Sequence, residues 1–283
     1  MCKILLFLLV SLTSVMVKAT SFQPSITDTQ WQVTSSLIQC QLSQTIDNFG
    51  KVQFEQQAGK PFTLIFSTYS QPTLGGKVRF QITQAPWKNS EQRSNLKVIT
   101  ADKGQRHFAI HDVDAKQAFN QLIEGHFPSI VYQSQSSNSA IDVKMSTIHL
   151  SDYLPEFQQC LQNLLPYSFE QIQKLTINFD VGKSQLGDAE KKALSKLARY
   201  VNADPDIKQI RISGHTDNHG RRRLNEALSE ARAVVVKNYL IKQCRVAKNL
   251  ITTSHHMEFK PVKSNQTPIG RSYNRRSVVT LIR

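Results

Sequence analysis

Beyond its first twenty residues the chain has no apolar run long enough to cross a bilayer as a helix. It also has no glycine-rich phosphate loop, no Gly-x-Ser-x-Gly elbow and no Cys/His arrangement suited to a nucleophile. Those absences leave nucleotide-dependent and hydrolytic chemistry without a local pattern. Four cysteines in 283 residues are too few and too scattered for a disulfide-dense scaffold or a cysteine metal cluster. His215 and His219 stand four apart, a spacing that helical zinc sites use, but Gly214 and Gly220 bracket them in a loop and no third ligand is spaced to join. His255 and His256 are neighbours, so on a strand they point to opposite faces. No metal site and no cofactor are expected. Internal repeats and low-complexity tracts are missing as well.

What is present begins with a leader. Lys3 precedes the apolar run Ile4–Val17, and Val17-Lys18-Ala19 puts small residues where a signal peptidase prefers them. The run is too short and wrongly flanked for a membrane span, so residues 1–19 read as a cleaved signal and the mature chain as an exported protein. Length suggests two domains, and charge divides them. Residues 167–283 hold 22 of the 35 Lys+Arg and only 10 of the 21 Asp+Glu, whereas residues 20–166 are neutral. A basic surface on an exported protein seeks wall carboxylates or lipid headgroups, and no nucleic-acid partner is expected.

Three cysteines, Cys40, Cys160 and Cys244, survive removal of the leader. An odd count in an oxidising compartment leaves one unpaired. Cys40 and Cys160 share the neutral region while Cys244 ends a helix alone, so a Cys40–Cys160 bond is expected.

Short β-branched or aromatic runs at Trp31–Val33, Lys51–Phe54, Phe62–Phe66, Lys77–Ile82, Leu96–Ile99 and Ala140–Val143 read as strands. Helical spacing breaks in at Asp114–Ile123 and at Asp152–Leu165, with Pro155 tolerated in the first turn. The first domain is therefore an antiparallel β domain sealed by one or two helices, and Cys160 would staple the second helix to the strand holding Cys40. The second half alternates strand and helix: Leu175–Phe179, Ala189–Val201, Ile207–Ser213, Arg222–Lys242, Leu250–Ser254 and Ser277–Ile282. That order makes an α/β sandwich with helices on one face, and the whole an α+β two-domain chain.

The densest chemical signal is Ile210–Asp217 followed by Asn225, Leu228-Ser229 and Arg232-Ala233. A strand ends in a loop presenting a carboxylate, and the next helix presents a guanidinium. Held at one mouth, the two suit a zwitterion, the acid taking an ammonium and the arginine a carboxylate. An aspartate beside an arginine stays ionised and makes a poor general acid, so the site reads as binding, without turnover.

Gly214-His-Thr-Asp217, Gly220, Asn225, Leu228-Ser229, Arg232-Ala233, Gly270-Arg271 and Asn274-Arg-Arg276 resemble the OmpA-type peptidoglycan-binding domain over roughly residues 167–283. The resemblance implies that Asp217 and Arg232 grip the free amino-acid end of diaminopimelate in a wall stem peptide. Thr216, Asn225 and Leu228 would support the pocket, and Arg271, Arg275 and Arg276 would meet wall carboxylates or form a solvated face. Two departures stand out: Leu224 where the family has an aromatic, and His255–Phe259 where it has glycines.

Cys40-Gln-Leu42, Phe49-Gly50, Ala85-Pro-Trp87, Gly125–Pro128 with Tyr132-Gln133, and Phe157 through Cys160 to Asn163–Phe169 resemble the MotY family of periplasmic proteins from sodium-driven flagellar motors. That resemblance implies a non-enzymatic component at the flagellum basal body. Residues 20–166 would join a MotX-like ring protein and help recruit sodium-channel stator proteins of the PomA/PomB type, while residues 167–283 hold peptidoglycan. A general OmpA-like envelope tether without a motor role is the alternative reading.

Overall fold

The structure, a computed structural model, describes residues 19–25, 27, 29–84 and 92–283. The expected signal peptide, apart from Ala19, and the Ala85-Pro-Trp87 motif lie outside the described residues. Contacts divide the chain into two compact units. One takes the chain up to Gln32 with Leu42–Glu55 and Phe62–Leu154, and the other takes Val33–Gln41, Gln56–Pro61 and Pro155–Arg283. Among the described residues no helix is long and apolar enough to cross a membrane.

The N-terminal half supplies β1 (Thr20–Phe22), β2 (Trp31–Ser35), β3 (Gln39–Ile46), β4 (Gly50–Gln57), β5 (Thr63–Thr68), β6 (Gly76–Thr83), β7 (Arg93–Ala101), β8 (His107–His111), α1 (Asp112–Ile123), β9 (Phe127–Gln133), β10 (Ala140–Lys144) and α2 (Leu150–Asn163). Two five-stranded sheets result, ordered β1-β10-β9-β6-β7 and β2-β3-β4-β5-β8. The pairings of β4 with β5, β5 with β8, β6 with β7 and β9, and β10 with β9 are antiparallel, which makes antiparallel pairing the rule in this half. The short β1 departs from that rule and runs parallel to β10. Phe66 and Phe80 meet edge to face with ring centroids 5.9 Å apart, tying the inner faces of the sheets together. Phe119 of α1 lies edge-on to Phe54 and Phe62 at 5.2 and 5.6 Å, so that helix packs on the second sheet at β4 and at the residue before β5.

The second unit holds α3 (Phe169–Ile172), β11 (Lys174–Asn178), α4 (Asp188–Ala203), β12 (Gln209–Gly214), α5 (Arg222–Lys242), β13 (Ile251–His255), α6 (Pro268–Asn274) and β14 (Arg276–Ile282). Its sheet has the order β11-β14-β12-β13, with β14 antiparallel to both neighbours and β12 parallel to β13. The pairings Asn178↔Arg276 and Gly214↔Ser277 therefore bring the ends of β11 and β12 level with the start of β14. All loops that carry the candidate residues leave the sheet at that one edge.

The helices follow from their patterns. In α4, Leu194, Leu197, Ala198 and Val201 are buried at the three-four spacing of one helical face, and Asp188 and Glu190 sit in the first turn where the helix dipole favours acids. In α5 the buried stripe changes character along its length. Asn225, Ser229 and Arg232 are polar, and Val236 and Leu240 further on are apolar. A helix that buries polar groups at one end and hydrocarbon at the other has one end in a core and the other in a site.

The core of this unit also receives residues from the first half of the sequence. Ala58 is buried among Leu165, Tyr167 and Ile172, and Ile38 packs on the same cluster. The Ala58 amide donates to Ile38 O at 2.8 Å and the Leu165 amide to Leu37 O at 2.9 Å. Gly59 has φ +65°, and a Cβ there would fall 2.4 Å from the Ser168 amide nitrogen, so only glycine fits. The expected Cys40–Cys160 bond is present and joins β3 to α2. Cys244 is free and partly buried, the one thiol left over by that pairing among the described residues.

Candidate functional site

Gly214 ends β12 directly beneath α5. A Cβ at this position would stand 1.9 Å from Ser229 O, so the glycine lets helix and strand meet backbone to backbone. That close approach carries Arg232, one turn beyond Ser229, to the loop that follows the strand. Arg232 is fully buried. Its Nη1 donates to His215 O at 2.8 Å, Nε to Lys183 O at 3.0 Å and Nη2 to Asp180 O at 3.2 Å. Its guanidinium also lies over the Phe179 ring at 5.2 Å. Burial pulls its pKa down to about 10, against the opposing attraction of Asp217, so the group stays charged at neutral pH.

Asp217 is 7% exposed. Its Oδ1 accepts from the His219 amide at 3.1 Å, a local turn that Gly220 completes with φ +97°. Its Oδ2 accepts from Arg275 Nη1 at 3.0 Å in a pair that keeps only about a tenth of each side chain in solvent. The Asn225 amide, on the first turn of α5, lies 3.4 Å from both Asp217 O and Glu258 Oε2. Thr216 is buried, its amide donating to Met257 O at 2.9 Å and its hydroxyl without a protein partner. Leu228 is half-buried on the same helix. Asp217, Arg232, Thr216 and Asn225 are thus neighbours, as the spacing suggests. Arg276 faces inward, donating to Lys260 O at 3.0 Å and to Asn274 O.

A family model of the MotY N-terminal domain matches residues 22–166, more than half of the chain. The chain belongs to the MotY family. Behind that domain an OmpA family model matches residues 178–275, which contain Asp217, Asn225, Arg232 and Arg275. The Sodium-type flagellar protein MotY of Vibrio parahaemolyticus is 29% identical over 259 residues, spanning 89% of this chain and 87% of that relative. The Peptidoglycan-binding protein ArfA of Mycobacterium bovis is 37% identical over 100 residues, covering 35% of this chain and 30% of its own length. Among solved structures, the cell wall anchor of the T6SS from Pseudomonas aeruginosa matches 38% of this chain and 80% of its own at 27% identity, with a TM-score of 0.34.

In this MotY-family chain Arg275, one of the three late arginines expected to meet wall carboxylates, is the cation that meets Asp217. Glu258 brings a second carboxylate to Asn225 from the segment that replaces the family's glycines. That segment keeps a left-handed residue where glycine would be usual, since Met257 has φ +48°. His255 is exposed at the end of β13, and His256, just past the strand, turns its ring to His215 with centroids 5.3 Å apart. Among the described residues no group of three His, Cys, Asp or Glu is placed to hold a metal.

His215 gives the site a pH dependence. Burial, then the charges of Arg276, His256 and Lys260, lower its pKa from 6.5 to about 3. The fold holds the neutral ring, so His215 contributes stability that is complete above about pH 6.5 and is lost as pH falls toward 3. His256 shifts in the same direction, mainly through burial. The urea midpoint of the wild type is expected to fall steadily from pH 6.5 to pH 4, and His215→Gln should flatten that slope. Equal slopes for the two proteins would contradict the assignment.

Proposed function

We propose that the chain is a non-enzymatic periplasmic tether that fixes a flagellar-motor assembly to peptidoglycan. The observation that carries the reading is the partly buried Asp217–Arg275 pair at the mouth of a loop that Arg232 braces from behind. An ion pair of this kind can open to a zwitterion. Asp217 takes the ammonium of the free amino-acid end of a diaminopimelate stem peptide, and Arg275, with the Arg232 charge behind it, takes the carboxylate. Asn225 and Thr216 hold the loop, Leu228 supplies apolar floor, and Arg276 secures the far wall. Residues 20–166 form the partner-binding part, with a MotX-like ring protein and stator proteins of the PomA/PomB type as partners, and residues 167–283 form the wall-binding part. The similarity to a protein named for the sodium-type flagellum favours the motor setting, and that to a protein named for peptidoglycan binding favours the ligand.

Static attachment needs affinity and no chemistry, which suits a carboxylate set beside the Arg275 guanidinium with the Arg232 charge behind it. Asp217→Asn keeps the size of the side chain and its acceptor for the His219 amide, and removes the charge. Sedimentation with purified sacculi is expected to weaken by roughly tenfold or more, the worth of one charge-assisted hydrogen bond, with an unchanged far-ultraviolet circular dichroism spectrum. Full retention of binding would defeat the site.

A further inference from the structure

On the other side of Arg275 from Asp217 the second unit has a cleft of about 540 Å³ between the β11–α4 loop and α6. That volume falls within the roughly 300–1,000 Å³ of small-molecule sites. Its walls carry amides from Asn178 and Gln185, a carboxylate from Glu190 and the guanidinium of Arg275. Ile269 and Tyr273 stand on one turn of α6 at its edge, 73% and 51% exposed. Two large apolar side chains left in water beside converging amide and carboxylate groups need an explanation that core packing does not give. We propose that this cleft is a carbohydrate subsite that takes an N-acetylated hexosamine unit of the wall glycan.

The chemistry selects a sugar over another stretch of peptide. A pyranose has one apolar face of C–H groups, which lies flat on an aromatic ring, and an equatorial rim of hydroxyls that both donate and accept. Tyr273 and Ile269 offer the flat face. Asn178, Gln185 and Glu190 offer both kinds of hydrogen-bond partner around it. Asp180 is paired with Lys183 at 3.2 Å, which leaves Glu190 and Arg275 as one charge of each sign on the cleft wall. Arg275 is common to both places. Its Nη1 holds Asp217 and its Nε donates to Phe179 O at 3.2 Å, so one side chain forms the wall between the peptide site and the cleft. A stem peptide and the glycan that bears it would then be read side by side. The inference rests on the wall-binding reading above and extends it from the peptide to the glycan.

The test separates the two ligands. Full-length protein is titrated with peptide-free glycan strands, prepared from sacculi with an amidase, and with the free diaminopimelate stem peptide. Tyr273→Ala is expected to weaken binding of the peptide-free strands about tenfold and to leave stem-peptide binding within about twofold. Asn178→Ala should weaken the strands as well, and Asp217→Asn should do the reverse of Tyr273→Ala. If peptide-free strands do not bind the wild type, or bind Tyr273→Ala and Asn178→Ala as tightly as the wild type, the subsite is overturned while the peptide site stands. Failure of the stem peptide to bind the wild type would instead remove the peptide site, and strand binding lost in Tyr273→Ala would still uphold the cleft.

Discussion

Arg232→Ala is expected to destabilise the fold by about 3–5 kcal/mol, the range measured when one member of a buried charged network is deleted. The guanidinium is fully buried and spends its donors on three main-chain carbonyls from two different loops. Alanine leaves the buried oxygen of His215 without a donor and the part-buried oxygens of Asp180 and Lys183 without their bond to the guanidinium, and an unpaired buried acceptor costs free energy. Arg232→Lys should recover only part of the loss, because one ammonium cannot span three divergent acceptors. Urea denaturation of the three proteins measures this directly. Wall binding should fail in Arg232→Ala together with stability, whereas Asp217→Asn should lose binding alone. A stable Arg232→Ala protein that has merely lost affinity would show that the arginine acts on the ligand and not on the loops.

Removing the Cys40–Cys160 bond is expected to cost up to roughly 4–5 kcal/mol, the chain-entropy value for a loop of about 100 residues or more. The bridge closes 120 positions of sequence, and both cysteines are buried. Cys40→Ala/Cys160→Ala should therefore melt well below the wild type, and a reductant should lower the wild-type melting temperature and leave the variant's unchanged. The joint does not depend on sulfur alone, since the Leu165–Leu37 and Ala58–Ile38 hydrogen bonds remain in place. Under non-reducing denaturation a thiol reagent should label only Cys244 in the wild type. Labelling of three thiols would contradict the bridge.

The alternation of the second half was legible because its strands and helices bury ordinary stripes. The predicted helix over Arg222–Lys242 is the helix observed. Strand β3 was harder to delimit, since its inward positions include Ser43 and Gln44. Gln44 is satisfied by the main chain of Ser146 through both amide atoms, so a buried residue looks solvent-facing in sequence. Strand β9 contains Pro128, which argues against a central strand, yet it lies between β10 and β6 with Pro128 near its start. Helix α6 is seven residues long and includes Gly270, too short to show a period, and is fixed by Pro268 in its first turn and the Thr267 cap. At the site, the motif gave the loop, the aspartate and the helix. It could not choose between Arg275 and Arg276, because adjacent extended residues face opposite ways and a choice wrong by one position exchanges the mouth for the interior. Nor could spacing tell that Arg232 would be used up by carbonyls, which depends on where the β11–α4 loop folds back.

The placing of Val33–Gln41 and Gln56–Pro61 in the same compact unit as the loops around Asp217 has a mechanical corollary. The polypeptide passes between the two units several times, through adjacent strands and a helix, so traction on one is carried by parallel covalent crossings and no single tether bears it. The Cys40–Cys160 bridge, with both cysteines in the second unit, pins two of the crossing elements, β3 and α2, to each other there.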